Sequence, residues 1–216
     1  MAVQQRDRIL LNRLRRQGMK SLASAQILDV GCGNGVELVR LLPFGARPEN
    51  LHGIDLLPQR VLAARSLHPA MDIHEASAAA LPWPDHHFDI VVQYTMLSSV
   101  LDSVVRRRAA LEMGRVLRPG GIVLWYDFVL NPLNRDTHAL RKRQVYELFP
   151  GFQVWLQRTT LAPPIARFVV PRWPAIAHGL QAISPLRSHL VGVLTKPAGR
   201  DAPQCAVADA SRVAER

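Results

Sequence analysis

Ile27-Leu28-Asp29-Val30-Gly31-Cys32-Gly33-Asn34-Gly35 is an apolar strand-like run that ends beside an acid and passes into three alternating glycines. Glycine permits positive φ and close backbone approach, so a ligand can rest against such a turn at the carboxyl end of a strand. A dinucleotide fingerprint requires a third small residue in the G-x-G-x-x-G register, where this chain has the branched Val36. NAD is disfavoured for that reason. A phosphate-binding P-loop is excluded as well, because no Gly-Lys-Ser or Gly-Lys-Thr follows the turn.

Working outward, further short apolar runs occur at 51–55, 88–92 and 121–126, and the spacing predicts helices over 35–43, 58–67 and 102–117. Strand and helix thus alternate from 26 to 128, as in a doubly wound α/β sheet with helices on both faces. Upstream, residues 1–20 read as a basic amphipathic helix, with Ile9, Leu10 and Leu14 near helical spacing among arginines. Downstream, a helix over 134–149 closes at Pro150-Gly151, and strands follow at 152–160 and 188–196. The proline-rich stretch 163–185 between them reads as an inserted cap with one short helix over 175–183. Residues 197–216 carry no apolar periodicity and read as a disordered tail. The domain expectation is therefore an N-terminal helix or lid over 1–20, one domain over 21–196 with its cap, and the tail.

A chain of 216 residues, 48% of them apolar, has enough material for its own core without staples. Its two cysteines, Cys32 and Cys205, are too few for a disulfide framework, which fits a reducing, cytoplasmic compartment. No apolar run reaches the roughly 18 residues of a membrane span, and Arg6, Asp7 and Arg8 stand where a signal peptide would be apolar. Lysine and arginine number 27 against 17 acids, a formal +10, which raises nucleic acid, anionic lipid or acidic substrates as partners without choosing among them. From 128 to 197 there are nine Lys or Arg and two acids, a bias that suits an anionic acceptor or a lipid surface.

Asp29, Gly31, Gly33 and Gly35 together resemble the first motif of the class I S-adenosylmethionine-dependent methyltransferases, an acid followed by Gly-x-Gly-x-Gly. Other matching features follow in order: Asp55 at the end of the second strand, Ser77-Ala78-Ala79-Ala80-Leu81-Pro82-Trp83, Phe88-Asp89, and Arg115-Val116-Leu117-Arg118-Pro119-Gly120-Gly121. The resemblance, to the small-molecule branch that includes quinone methylases, implies a Rossmann-like, seven-stranded, mostly parallel sheet of order 3-2-1-4-5-7-6. It implies S-adenosyl-L-methionine as cofactor, with Asp29, Gly31, Cys32, Gly33, Asn34 and Gly35 forming the cradle. Asp55 and Leu56 would lie at the ribose, Ser77 and Ala78 at the adenine, and Gln93 and Tyr94 beside the methyl group. Two departures stand out. Ser77 replaces the acid expected to accept from the adenine amino group, and Ser99 replaces a histidine that many relatives carry near the active site.

The methyl donor is already a strong electrophile, so the protein chiefly has to align a nucleophile about 3 to 3.5 Å from the methyl carbon and exclude water. A hydroxyl acceptor profits from a base. Asp127, at the carboxyl end of the fifth strand, is expected to face the crevice and is the first candidate, with His138 second. No metal is expected. The sequence Gln93-Tyr94-Thr95-Met96 lacks the Pro-Pro-Tyr signature of amino-group methylases, and His86-His87 sits in a turn, where adjacent residues rarely converge on one ion. The expected reaction is methyl transfer to an oxygen of a small or lipid-linked acceptor, with peripheral membrane contact allowed. The rival readings are carbon methylation of a quinone or prenylated ring, RNA methylation, and a cofactor-binding regulator without turnover.

Overall fold

The structure, a computed structural model, describes residues 2–16, 18–19, 21–130, 137–161, 169 and 187–199. Helix α1 (Ala2–Arg16) precedes β1 (Ile27–Val30), α2 (Val36–Val39), β2 (Leu51–Asp55), α3 (Pro58–Leu67) and β3 (Asp72–Glu75). Next come β4 (Phe88–Tyr94), α4 (Met96–Ser99), α5 (Ser103–Val116), β5 (Leu117–Phe128), α6 (Lys142–Leu148), β6 (Gln153–Leu161) and β7 (Arg187–Thr195). The seven strands form one sheet in the order β3-β2-β1-β4-β5-β7-β6. The first five are mutually parallel, and β7 runs antiparallel between β5 and β6. Because β7 runs against β5, its first residues lie beside the last residues of β5, at the carboxyl edge of the parallel strands.

Side chains alternate across the sheet, so each strand feeds two cores. On one face Leu28, Val30, Val91, Val123 and Trp125 pack with Ala109, Ala110, Met113 and Val116 of α5 and Val145 of α6. On the other, Ile27, Ile90, Val92, Leu124, Val191 and Val193 pack with Leu10 and Leu14 of α1 and Val61 and Ala64 of α3. No helix among the described residues is long and apolar enough to cross a membrane.

Two expected helices differ and one strand has no range assigned from the sequence, each for a local reason. The helix expected over 35–43 stops at Val39, because Pro43 has no amide with which to continue it, and Leu42–Phe44 forms a single tight turn instead. The helix expected from 134 begins at Lys142: the amides of His138 and Leu140 donate to the carbonyls of Ser98 and Phe128, both at 2.7 Å, which holds that segment extended. Edge strand β3 carries no apolar run, since only Ile73 of Asp72-Ile73-His74-Glu75 is buried, and periodicity passes over it. The cap at 163–185 falls outside the described residues except for Val169, and the tail falls outside them from residue 200.

Candidate functional site

At the carboxyl edge of the sheet the chain leaves β1 through a turn built on positive-φ glycines, Gly31 at 83°, Gly33 at 57° and Gly35 at 82°. The amides of Gly31 and Cys32 both donate to the carbonyl of Ile54 at 2.8 Å, so the exit of β1 is tied to the end of β2. A Cβ on Gly31 would lie 2.6 Å from Cγ of Met96, whereas one on Gly33 would meet nothing within 4 Å. The turn is therefore closed beneath Gly31 and open above Gly33. Glycine 35 packs its bare Cα against the His68 ring. Cys32 is buried, and its sulfur fills the space over Gly53 where a Cβ would otherwise stand. Asn34 is exposed at the crest of the turn.

Asp55, only 5% exposed, ends β2 beside this turn. One carboxylate oxygen accepts from the Gly33 amide and the other from the Leu57 amide, each at 3.0 Å, and the Arg60 guanidinium lies 3.7 Å away. Two backbone donors thus fix its orientation and leave further lone pairs for a ligand. A cleft of about 590 Å³ opens here, with Gly31, Asp55, Leu56, Ser77, Ala78 and Tyr94 among its lining. Apolar groups dominate its far wall, including Met96, Val100 and Val105. Ser77 is exposed at the rim, where its hydroxyl accepts from the Ala79 amide at 3.2 Å and closes a small turn.

Asp29 lies under the turn, 2% exposed, with no side-chain hydrogen bond among the described residues. Burial first, then the negative charges of Glu37 and Asp55, push its carboxyl up to about 8, against the opposing pull of Arg6.

Three expected site residues, Asp127, Gln93 and His138, are placed away from the cleft. Asp127 does not face it. The carboxylate is fully buried on the α5 face of the sheet, where it accepts from Gln93 Nε2 at 2.7 Å and from the amides of Ser98 at 3.1 Å and Phe128 at 2.7 Å. It anchors α4 to the end of β5, and burial pushes it up to about 6. Gln93 is likewise fully buried on that face, and its carbonyl oxygen has no hydrogen-bond partner among the described residues. Both follow from strand alternation, which sends Gln93 and Asp127 to one side and their neighbours Tyr94, Tyr126 and Phe128 to the other. His138 is exposed and contacts Gln144 through Nε2 at 3.1 Å, and it is not part of the cleft lining.

Sequence reasoning missed Arg6. This guanidinium is 3% exposed, pairs with Glu37 and Asp7, and lies 4.2 Å above the Tyr94 ring and 5.3 Å from that of Tyr126. A signal was present: Arg6 shares the stripe of Leu10 and Leu14 at four-residue spacing, a buried position where an apolar residue is the norm. Also missed was His189 on β7, whose ring stacks on Tyr126 with centroids 4.7 Å apart and planes 8° apart.

Residues 28–125 match a family described as a methyltransferase domain. The chain is 29% identical over 188 residues, 78% of its length, to the 27-O-demethylrifamycin SV methyltransferase of Amycolatopsis mediterranei, and spans 67% of that protein. It is 33% identical to a ubiquinone biosynthesis O-methyltransferase of Ralstonia nicotianae over 58% of this chain and 59% of that one. Several curated relatives are thus matched over little more than half of their length, as with a probable S-adenosylmethionine-dependent methyltransferase of Mycolicibacterium smegmatis at 53%. Among solved structures, the [4+2]-cyclase SpnF superposes with a TM-score of 0.65 at 22% identity, over 89% of this chain and 82% of that one, a likeness of fold alone.

Proposed function

We propose that the chain, whose residues 28–125 match a methyltransferase domain, is a class I S-adenosylmethionine-dependent methyltransferase and methylates a small molecule at oxygen without a metal. The observation that carries the reading is Asp55: a buried carboxylate pinned by two amides at the mouth of a 590 Å³ cleft, beside a turn open above Gly33. When bound, S-adenosylmethionine supplies a methyl group on a cationic sulfur, which an oxygen can attack in line. The residues present fit it. The free lone pairs of Asp55 would accept the ribose hydroxyls, Ser77 and Ala78 would border the adenine, and the Gly31 to Gly33 backbone would lie against the amino-acid portion. Asp29, pushed up to about 8 by burial, would gain a positive neighbour in the ammonium group. Tyr94 and the buried Arg6 above it would wall the methyl side from water.

Oxygen acceptors are favoured by the two relatives named for O-methylation. We place the reaction in the cytoplasm. Equilibrium titration with S-adenosylhomocysteine tests the cofactor assignment. Asp55→Ala should weaken binding by about 1 to 3 kcal/mol through loss of charged hydrogen bonds, and an unchanged affinity would remove Asp55 from the site.

A further inference from the structure

The reaction proposed above leaves a proton to be taken from the acceptor, and Asp127 is sealed away from the cleft by three donors. The α1 face of the sheet offers a different group. Tyr94, which lines the cleft, is paired in register with Tyr126 on β5, and their rings meet edge to face at 6.1 Å. Tyr126 stacks on His189, and His189 also lies 4.2 Å from Phe128, its register partner across the β5–β7 ladder. A row of rings therefore runs from the cleft to the histidine. Tyr94, Tyr126 and Phe128 are half-buried, and Tyr94 joins the row to the lining of the cleft.

His189 itself is 5% exposed, with Nδ1 2.9 Å from the Ser188 hydroxyl. Its Nε2 makes no hydrogen bond among the described residues. Directly across the β6–β7 ladder stands Thr159, 1% exposed, whose buried hydroxyl has no hydrogen-bond partner among the described residues. Such a group is expensive unless something else satisfies it. Other polar groups around the histidine are the Tyr126 phenol, bonded to Thr160 at 2.9 Å, Arg187 at the start of β7, and Arg6 reaching from α1 over Tyr126. Burial raises both tyrosine phenols, so neither is a base near neutral pH. Burial lowers His189, to about 4, so its imidazole is neutral near pH 7 and takes a proton only where an adjoining negative charge, such as a forming phenolate, offsets that burial.

We propose that an aromatic hydroxyl, a phenol or hydroquinone, docks on this row of rings and that His189 accepts its proton during methyl transfer. The proposal rests on the methyl-transfer reading and adds the acceptor class and the base. The acceptor O–H proton passes to Nε2, an O–CH3 bond forms as the C–S bond breaks, and the electron pair of that bond stays on sulfur, giving neutral S-adenosylhomocysteine. The imidazolium then returns its proton to solvent. Rings stacked edge and face suit an aryl acceptor, and the Arg6 charge steadies the developing phenolate. The Thr159 hydroxyl gains a partner in the acceptor oxygen.

The test uses the full chain, methyl-labelled donor, and three acceptors: hydroquinone, cyclohexanol, and 4-nitrophenol, which is already largely ionised near neutral pH. Positioned bases are worth about a hundredfold or more. His189→Gln should therefore cut turnover on hydroquinone by about that factor with S-adenosylhomocysteine affinity and melting temperature close to wild type. The loss should be far smaller with 4-nitrophenol and should shrink as pH rises toward the phenol pKa. Equal losses on both phenols, no loss on either, or transfer to cyclohexanol in preference to hydroquinone overturns the proposal. Should the variant fail to fold, the His189 Cε1–H resonance of the wild type, saturated with S-adenosylhomocysteine, serves instead. It should shift when hydroquinone is added, and a resonance that stays put overturns the proposal. Failure of S-adenosylhomocysteine to bind at all would instead strike the methyl-transfer reading.

Discussion

The cleft and the row of rings that adjoins it at Tyr94 are built in opposite ways. At the β1–β2 end the ligand-facing groups are backbone amides and bare glycine carbons, set by one contiguous turn and by one carboxylate that the turn itself orients. In the row of rings, the proposed acceptor region, the groups are side chains from four distant segments, Arg6, Tyr94, Tyr126 and His189, held by stacking and ion pairing. A backbone-built site tolerates little change in the residues that shape it. A side-chain-built site can be altered one residue at a time, which is how one cofactor frame can serve many acceptors.

The largest expected effect belongs to the backbone end. Gly31→Ala adds a Cβ at a φ of 83° and 2.6 Å from Met96, combining backbone strain with overpacking. Each costs about 1 to 3 kcal/mol, so chemical denaturation should show a loss of about 3 kcal/mol together with loss of S-adenosylhomocysteine binding. A neutral substitution would mean that the turn is not the constrained element described above.

At the side-chain end the matching probe is pH. The folded value of His189, about 4, lies below its ordinary 6.5, so between those values the unfolded chain binds more protons than the folded one. Its contribution to stability is complete above pH 6.5 and is lost as pH falls toward 4, on the order of 3 kcal/mol. Unfolding free energies from pH 7 to 4 should therefore fall less steeply for His189→Gln than for wild type. Parallel curves would place the ring in a more solvated setting.

The contrast also explains how much could be read in advance. The glycine turn, Asp55 and the alternation of strands and helices to 128 lie in continuous stretches whose spacing carries the geometry, and the strand order followed from the resemblance they created. Asp127 misled because alternation along β5 gives two faces, Trp125 and Asp127 against Tyr126 and Phe128, without saying which one borders the cleft. His189 was invisible because its partners are about 60 residues away along the chain, joined to it only by the β5–β7 ladder. Strand β3 was hidden by its polarity, and the shortening of α6 by backbone bonds to Ser98 and Phe128 that no local pattern announces.

Two smaller effects sharpen the comparison. Asp29 stands above its unfolded value of 3.8, so its stability contribution is present below that pH and is lost as pH rises through about 8. The ammonium group of a bound ligand should drive its proton off, and calorimetry in buffers of different ionisation heat should show a release approaching one proton per S-adenosylhomocysteine bound near pH 7. Asp29→Asn should abolish the release, and a release that survives the substitution assigns the proton elsewhere. Away from both ends, Asp102 caps α5 by accepting from the amides of Val104 at 2.7 Å and Val105 at 3.2 Å. Asp102→Ala should cost about 1 kcal/mol in unfolding experiments with S-adenosylhomocysteine affinity unaltered. A change in affinity would show that α5 and the cleft are coupled.

The most direct measurement is calorimetric titration of the wild-type chain with S-adenosylhomocysteine at two salt concentrations, with NAD as control. The expected result is micromolar binding that changes little with salt, and no heat from NAD. Absence of S-adenosylhomocysteine binding, or equal binding of NAD, would contradict the assignment of the glycine turn and Asp55 to a methyl-donor site.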